Sequence, residues 1–265
     1  MTINLDFAQH QLMAYTLVFC RMAGVVLFNP LLSRKNIPTR FSVAMCLGLS
    51  ICVAPSITGA TGAMGAVGAV ESPFYLLRAV VSELLVGLVW GVVFQSFYYM
   101  LFMAGDAIDM GMGLSMAKVF DSNTNIQMSI SGNIFNLFFI MFIFVTNSHL
   151  ALIRLAVSSY DIVGVGGAVM SRNLNGFIIK MFLEVSSLAI RLCLPFLAAT
   201  FTVEVTMGIL MKLVPQINVF SIHFQAKVIM GLILLYAFAA PVGNFIDKYI
   251  SAMYQQMEKS LIYMV

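Results

Sequence analysis

Charge is what this sequence has least of. Only 9% of its 265 residues are Asp, Glu, Lys or Arg, against about 25% in an average soluble domain. The 25 charges leave a net +3, dispersed along the chain, so a nucleic-acid-binding surface is not expected. No five like charges stand together, which excludes an acidic or basic tail. Cysteine is equally sparse. Cys20, Cys46, Cys52 and Cys193 sit singly in apolar runs with no C-x-x-C spacing, so they read as small buried hydrophobes rather than zinc ligands or a redox pair. The first thirty residues lack a basic n-region and an A-x-A-like cleavage site, and a removable signal peptide is not expected. His10, His149 and His223 are isolated from one another, and Gly113-Leu-Ser-Met-Ala117 lacks the second glycine of a nucleophile elbow. With no P-loop and no dinucleotide fingerprint either, the chain reads as a non-enzyme with no catalytic, cofactor or metal site.

What is abundant is apolar sequence, at 61%. Residues 41–70, 84–105, 122–148 and 228–246 carry no charge at all. Each is long enough to cross a hydrocarbon core of about 30 Å as a helix of about 20 residues. Six apolar segments are expected, at 12–28, 41–57, 84–103, 128–147, 177–203 and 228–246. They far exceed strand length and lack the alternation of a transmembrane barrel, so the expected fold is all-α, a set of membrane-associated helical hairpins forming one domain over 1–265. Arg21, Lys180, Glu184, Arg191 and Glu204 lie within or beside these segments. A mid-bilayer charge costs about 2.5–3.5 kcal/mol on insertion scales and usually faces protein or water. Arg21, Glu184, Arg191 and Glu204 are therefore expected to be buried in protein.

The connectors punctuate this pattern. Asn29-Pro30 and Ile37-Pro38 bracket a short basic link, and the second segment is expected to stop at Ala54-Pro55. Four Gly-Ala-x triplets follow over 59–70, too few and too proline-free for collagen, and read as a flexible loop. Counting Lys and Arg on alternate sides gives six against six. The positive-inside rule thus assigns no orientation, as expected of a chain that is not a serpentine bundle.

Four stretches stand out. Glu83, Gly87 and Gly91 share one helix face, and the Gly-x-x-x-Gly spacing admits a second backbone closely. Phe135-Asn-Leu-Phe-Phe-Ile-Met-Phe-Ile-Phe144 reads as core or lipid-facing bulk, or as a ring lining a pore. In Val214-Pro-Gln-Ile-Asn-Val-Phe220 the proline ends a helix, and the Gln and Asn amides can satisfy freed backbone groups. This predicts a tight helical hairpin. The segment 104–121 interrupts apolar sequence with Asp106 and Asp109, three apart and so on one helical face, then with Gly111 and Gly113 among Met110, Met112, Met116 and Phe120. Thioether chains repack around variable shapes, and glycine supplies hinge freedom. The same stretch also reads as an ordinary amphipathic loop, or the two carboxylates as a proton or cation site.

At these residues the chain resembles the FliR family, the export-gate subunit of flagellar and virulence type III secretion systems. Leu213-Val-Pro-Gln-Ile-Asn-Val-Phe220 looks like that family's Pro-Gln-x-x-(Val/Ile)-Phe turn. Ala104-Gly-Asp-Ala-Ile-Asp109 through Gly113-Leu-Ser-Met-Ala117 looks like its central loop, and Arg21, Pro30, Pro38, Arg40, Pro55, Glu83 and Gly87 fall where similar residues occur. One departure is Ser122, where the family commonly has proline after Asp121. The resemblance implies a structural and gating subunit built with the export-gate subunits P and Q into a hetero-oligomeric helical gate in the bacterial inner (plasma) membrane, at the flagellar basal body. It implies a B-type export subunit as a further partner and unfolded secreted proteins as substrates. It also implies that the central loop, here Met110, Gly111, Met112, Gly113, Leu114, Ser115, Met116, Phe120 and Asp121, plugs the pore. Pro215, Gln216, Asn218 and Phe220 would form a hairpin turn, and with Glu83, Gly87 and Gly91 would pack subunits. The competing reading is a small-molecule or proton-coupled membrane transporter whose site is Asp106 with Asp109.

Overall fold

A computed structural model describes residues 5–30, 38–60, 73–115, 129–169, 171, 173–214 and 219–265, with side chains from 11 onward except at 56, 58–60, 73 and 219–221. These residues form α1 (Leu5–Leu27), α2 (Thr39–Ala60), α3 (Pro73–Met112), α4 (Ile130–Val145), α5 (Ser148–Ile162), α6 (Leu174–Leu213), α7 (Val219–Ala237) and α8 (Ala239–Ile262). No strand occurs among them, and the expected all-α class is borne out.

Several boundaries differ from those expected. α2 runs through Pro55, its expected stop, to Ala60, and α6, which like the expected segment contains Pro195, extends past 177–203 to span Leu174–Leu213. Proline deletes one backbone donor from a helix but leaves the rest of the ladder intact, and the apolar sequence on both sides holds these helices together. α3 is 40 residues long and extends well past the segment 84–103 at both ends, taking in Asp106 and Asp109. α5 was not among the six expected segments, because Arg154, Asp161 and three serines dilute its apolar content. The fourth segment ends at Asn147, whose left-handed φ of 55° breaks the helix. α4 and α5 therefore meet at a 70° bend. The sixth expected segment straddles a second break, with α7 and α8 bent by 61°. Pro241 stands in the first turn of α8, where its missing N–H leaves no intrahelical bond unmade.

Among the described residues Phe74–Met112 is long and apolar enough to cross a membrane, and up to three spans result if each bent pair counts as one. Large apolar side chains are exposed on many helices, for example Leu77, Leu137, Leu183, Phe201 and Ile229. Water would not tolerate so much apolar surface, whereas lipid or a protein partner would.

The chain divides into two compact units, one of 1–96, 147–182 and 252–265, the other of 97–146 and 183–251. In the first, α1 and α2 bury Ala23, Val26 and Cys46 against Phe19 and Leu49. The Trp90 indole N–H donates to the Met257 carbonyl at 3.2 Å, and Tyr254 donates to the Ser148 carbonyl at 2.7 Å. In the second, aromatic rings interlock edge to face. Tyr249 meets Phe97 at 4.9 Å and Phe139 at 6.3 Å, and Phe135 meets Phe196 at 6.5 Å. The aromatic run of α4 thus splits by face: Phe135, Phe139 and Ile143 are core, while Leu137, Met141 and Phe144 are exposed.

Candidate functional site

In the second unit, the end of α3 meets the start of α4. The two helices run antiparallel here, and a Cβ on Gly105 would collide with the backbone of Gly132. Only two glycines allow so close an approach. One turn on, Asp109 is fully buried. Its Oδ2 accepts from Ser129 Oγ at 2.7 Å and from the Ile130 N–H at 2.6 Å. Its Oδ1 accepts from Ser131 Oγ at 2.5 Å and from the Ser131 N–H at 3.2 Å. Ser129 is the N-cap of α4 and accepts from the Gly132 N–H at 2.9 Å. A carboxylate at a helix N-terminus gains from the helix dipole and from charge-assisted hydrogen bonds, which is why this charge tolerates complete burial.

α3 ends just beyond. Gly113 has φ 78°, a conformation that halts a helix and that glycine adopts without strain. A Cβ there would also stand 3.4 Å from the Phe224 ring. Gly111, in contrast, is helical and packs on Thr200 of α6, where a Cβ would lie 3.1 Å from the hydroxyl. Met112 is fully buried and lies against Gly231 of α7, whereas Met110 is 65% exposed. Of the two glycines expected to give hinge freedom, Gly113 has the backbone for it and Gly111 serves close packing. Met112 is a core residue of this chain. Leu114 and Ser115 are half-buried. Met116, Phe120 and Asp121 lie outside the described residues.

The first unit holds a different centre. Arg21 and Glu83 are both fully buried. Arg21 Nε donates to Glu83 Oε2 at 2.5 Å and Nη2 to Oε1 at 3.0 Å. Arg21 also donates to Ser159 Oγ at 3.0 Å and to the Val163 carbonyl at 3.1 Å. The Tyr160 ring lies 3.8 Å from the guanidinium carbon, in cation–π range. Glu83 accepts in turn from the Gly166 N–H at 2.7 Å. α1 and α3 run parallel along this line. A Cβ on Gly87 would stand 2.6 Å from the Arg21 carbonyl oxygen, one on Gly24 would stand 2.9 Å from Gly87 Cα, and one on Gly91 would strike Phe28. The Glu83–Gly87–Gly91 face packs closely on another helix, as its spacing indicates, and that helix is α1 of the same chain. Glu83 stands in the third turn of α3, and its partner is Arg21.

The remaining expected positions separate. Of the four charges expected to be buried in protein, this chain buries Arg21 alone. Glu184, Arg191 and Glu204 are exposed on α6, because a helix packed along one side leaves its other side open. Glu204 is held by Lys227 of α7 at 2.5 Å. These two stand equally far from position 215–216, so α6 and α7 fold back antiparallel as the hairpin expectation requires. Pro215, Gln216 and Asn218 of the turn lie outside the described residues. Phe220 is in α7, with its side chain outside the description. Asp106 is half-buried and one turn from Asp109. The carboxylate of Asp109 is saturated by hydroxyl and N–H donors, which does not suit the open two-carboxylate site of a transporter.

Residues 12–253 match the family described as bacterial export proteins, family 1. The chain belongs to this family. Proteins similar to it include the flagellar biosynthetic protein FliR of Escherichia coli K12, 24% identical over 88% of this chain and 87% of the relative. FliR of Bacillus subtilis 168 is 26% identical over 84% of each chain. The Yop proteins translocation protein T of Yersinia pestis is 24% identical over 92% of each. The export-protein family match spans every described helix at least in part, and both polar centres lie inside it. Sequence reasoning flagged Arg21, Glu83 and Asp109 singly but not their partners. The one local signal it passed over is Ser129-Ile-Ser-Gly132 before an apolar run, the pattern of an N-cap.

Proposed function

We propose that this protein is a non-enzymatic structural and gating subunit of a type III protein export gate, of the flagellar kind. It would join the export-gate subunits P and Q in the bacterial inner (plasma) membrane at the flagellar basal body, line part of the pore for unfolded secreted proteins, and bind a B-type export subunit. The observation that carries this reading is the family match over residues 12–253, with relatives named flagellar biosynthetic protein FliR matching most of their own length. The exposed charges of α6 support it. Glu184 and Arg191 stand on the open face of an apolar helix beside Leu183, Ile190 and Leu194, where lipid would be costly and a protein neighbour is the suitable environment. The segment 110–121, from Met110 through Asp121, is assigned as the plug, entered from the fixed end of α3. Pro215 to Phe220 is assigned to the hairpin turn.

The test is affinity purification of the tagged chain from its native membrane in mild detergent, followed by native mass spectrometry. The expected result is one copy of this chain with several copies of two small helical membrane proteins. Recovery alone, or as a symmetric homo-oligomer, overturns the assembly. Deleting residues 111–120 tests the plug assignment separately: the assembled gate should then leak small solutes.

A further inference from the structure

We propose that the groove between the start of α3 and the segment 163–169 holds one monoanionic phospholipid. Its headgroup meets Arg78, and one acyl chain lies along Leu77, Val81 and Leu85.

The groove is built within the first unit. After α5 the chain turns back along α3 and is tied down at three points. The Val163 carbonyl accepts from Arg21 at 3.1 Å, the Gly166 N–H donates to Glu83 at 2.7 Å, and the Val169 N–H donates to the Met264 carbonyl at 3.0 Å. A Cβ on Gly166 would stand 3.2 Å from that of Ala79, so this segment and α3 touch at the groove floor. The buried ion pair thus fixes the far wall. Between that wall and α3 lies a cavity of about 370 Å³, within the range of about 300–1,000 Å³ usual for small-ligand sites. Its lining is apolar except for Arg78 and Ser82, and no carboxylate stands among the described lining residues. The Ser82 hydroxyl is committed to the Ala79 carbonyl at 2.8 Å. Arg78 is therefore the polar side chain that the groove offers a ligand, and it asks for an anion.

Length and position select the kind of anion. From Phe74 to Leu85, α3 rises about 16 Å at 1.5 Å per residue, close to one leaflet's half of a hydrocarbon core of about 30 Å. Phe74 also begins the stretch of α3 long and apolar enough to cross a membrane. Phe74 and Tyr75 are exposed there, and aromatic side chains beside a basic one mark the level of lipid headgroups. Helical side chains lean toward the N-terminus, so Arg78 reaches that level while its stem lies on apolar surface. Leu77 and Val81, both exposed, continue below it. A cation at the mouth of an apolar slot one leaflet deep complements a phosphate followed by an acyl chain.

The test places a fluorescent reporter at the rim. Phe74→Trp is made in the full chain, where the native Trp90 is buried and lies about 24 Å further along the helix. The chain, and separately the complex purified from its native membrane, is titrated in uncharged detergent at low salt with brominated phosphatidylglycerol or brominated phosphatidylethanolamine. Quenching at position 74 should need about fivefold less of the anionic lipid, the factor expected of one basic residue at a lipid headgroup. Arg78→Gln should erase that preference. Arg78 is exposed, so the change should leave the thermal midpoint in place. A reporter at Leu137→Trp, exposed on α4 with no basic residue within a turn of it, should show no preference. Glycerol phosphate should not protect position 74 from quenching. The proposal is overturned if both lipids quench alike with Arg78 present, if Arg78→Gln keeps the preference, or if glycerol phosphate protects, which would make the site one for a free anion. Preference in the isolated chain but none in the complex would also overturn it, since a protein neighbour would then cover the groove.

Discussion

Arg21 and Glu83 in one unit, and Asp109 in the other, are charges buried to the same degree by different means. Arg21 neutralises Glu83 directly, and Ser159, Val163, Tyr160 and Gly166 take up the remaining valences. Asp109 is met by hydroxyls and backbone N–H groups at the start of a helix. The first arrangement joins α1, α3 and α5, elements far apart in sequence, and removing either partner strands a full charge. The second joins neighbours in the chain, and its donors are partial charges. The first should be the more brittle, and the second the more adjustable.

Breaking the ion pair gives the largest expected effect. Glu83→Ala leaves the guanidinium buried and unpaired, at a cost of about 3–5 kcal/mol. The thermal midpoint of the purified protein in detergent should fall accordingly, or the protein should fail to accumulate. The double variant Arg21→Met with Glu83→Leu removes both charges and should recover most of the loss, since well-packed apolar replacements of a buried pair are often neutral. If the double variant is as unstable as the single one, the centre is held by Ser159 and Gly166 more than by the pair.

The glycine contacts sharpen the comparison next. Gly87→Ala places a Cβ 2.6 Å from the Arg21 carbonyl and forces α1 away from α3. Overpacking of this kind costs about 1–3 kcal/mol. It also stretches the Arg21–Glu83 pair beside it, so its effect should not add to that of Glu83→Ala in a double-mutant cycle. Additive losses would show that the helix crossing and the ion pair are independent.

How much of this could be read from the sequence follows the same division. The helical character of the described segments other than α5 was legible from the length of the apolar runs. The Glu83–Gly87–Gly91 face was legible as a packing surface from its four-residue spacing. Its partner was not, because Arg21 lies 62 residues away and spacing carries no information across such a distance. Asp109 was legible as sharing a face with Asp106, which suggested a pair. Burial instead separated them, with Asp109 committed to α4. α5 was illegible to a count of apolar runs because Arg154, Asp161 and three serines interrupt its apolar sequence. Pro55 was read as a stop, and the long apolar helix absorbed it.

A smaller effect is expected at Trp90, which ties α3 to the last helix of its unit through one hydrogen bond at 3.2 Å. Trp90→Phe keeps most of the ring's buried surface and removes this one bond, while the Met257 carbonyl still accepts from Ser260 Oγ at 2.6 Å. The cost should be about 0.5–1.5 kcal/mol, read as a modest drop in the same thermal midpoint.

The smallest expected effect is at Lys227 and Glu204. This pair is as short as Arg21–Glu83, at 2.5 Å, yet the Glu204 side chain is 49% exposed. Distance alone would rank the two alike, and burial separates them. An exposed pair contributes about 0.2–1 kcal/mol and weakens with salt, so Lys227→Met in the isolated chain should shift the midpoint little, and less still at high salt. In the assembled complex the same variant tests what covers α6. If the open face of α6 meets protein, Glu204 loses its water there, and Lys227→Met should destabilise the complex more than the isolated chain. Equal small effects in both states would mean that Glu204 stays in contact with water after assembly.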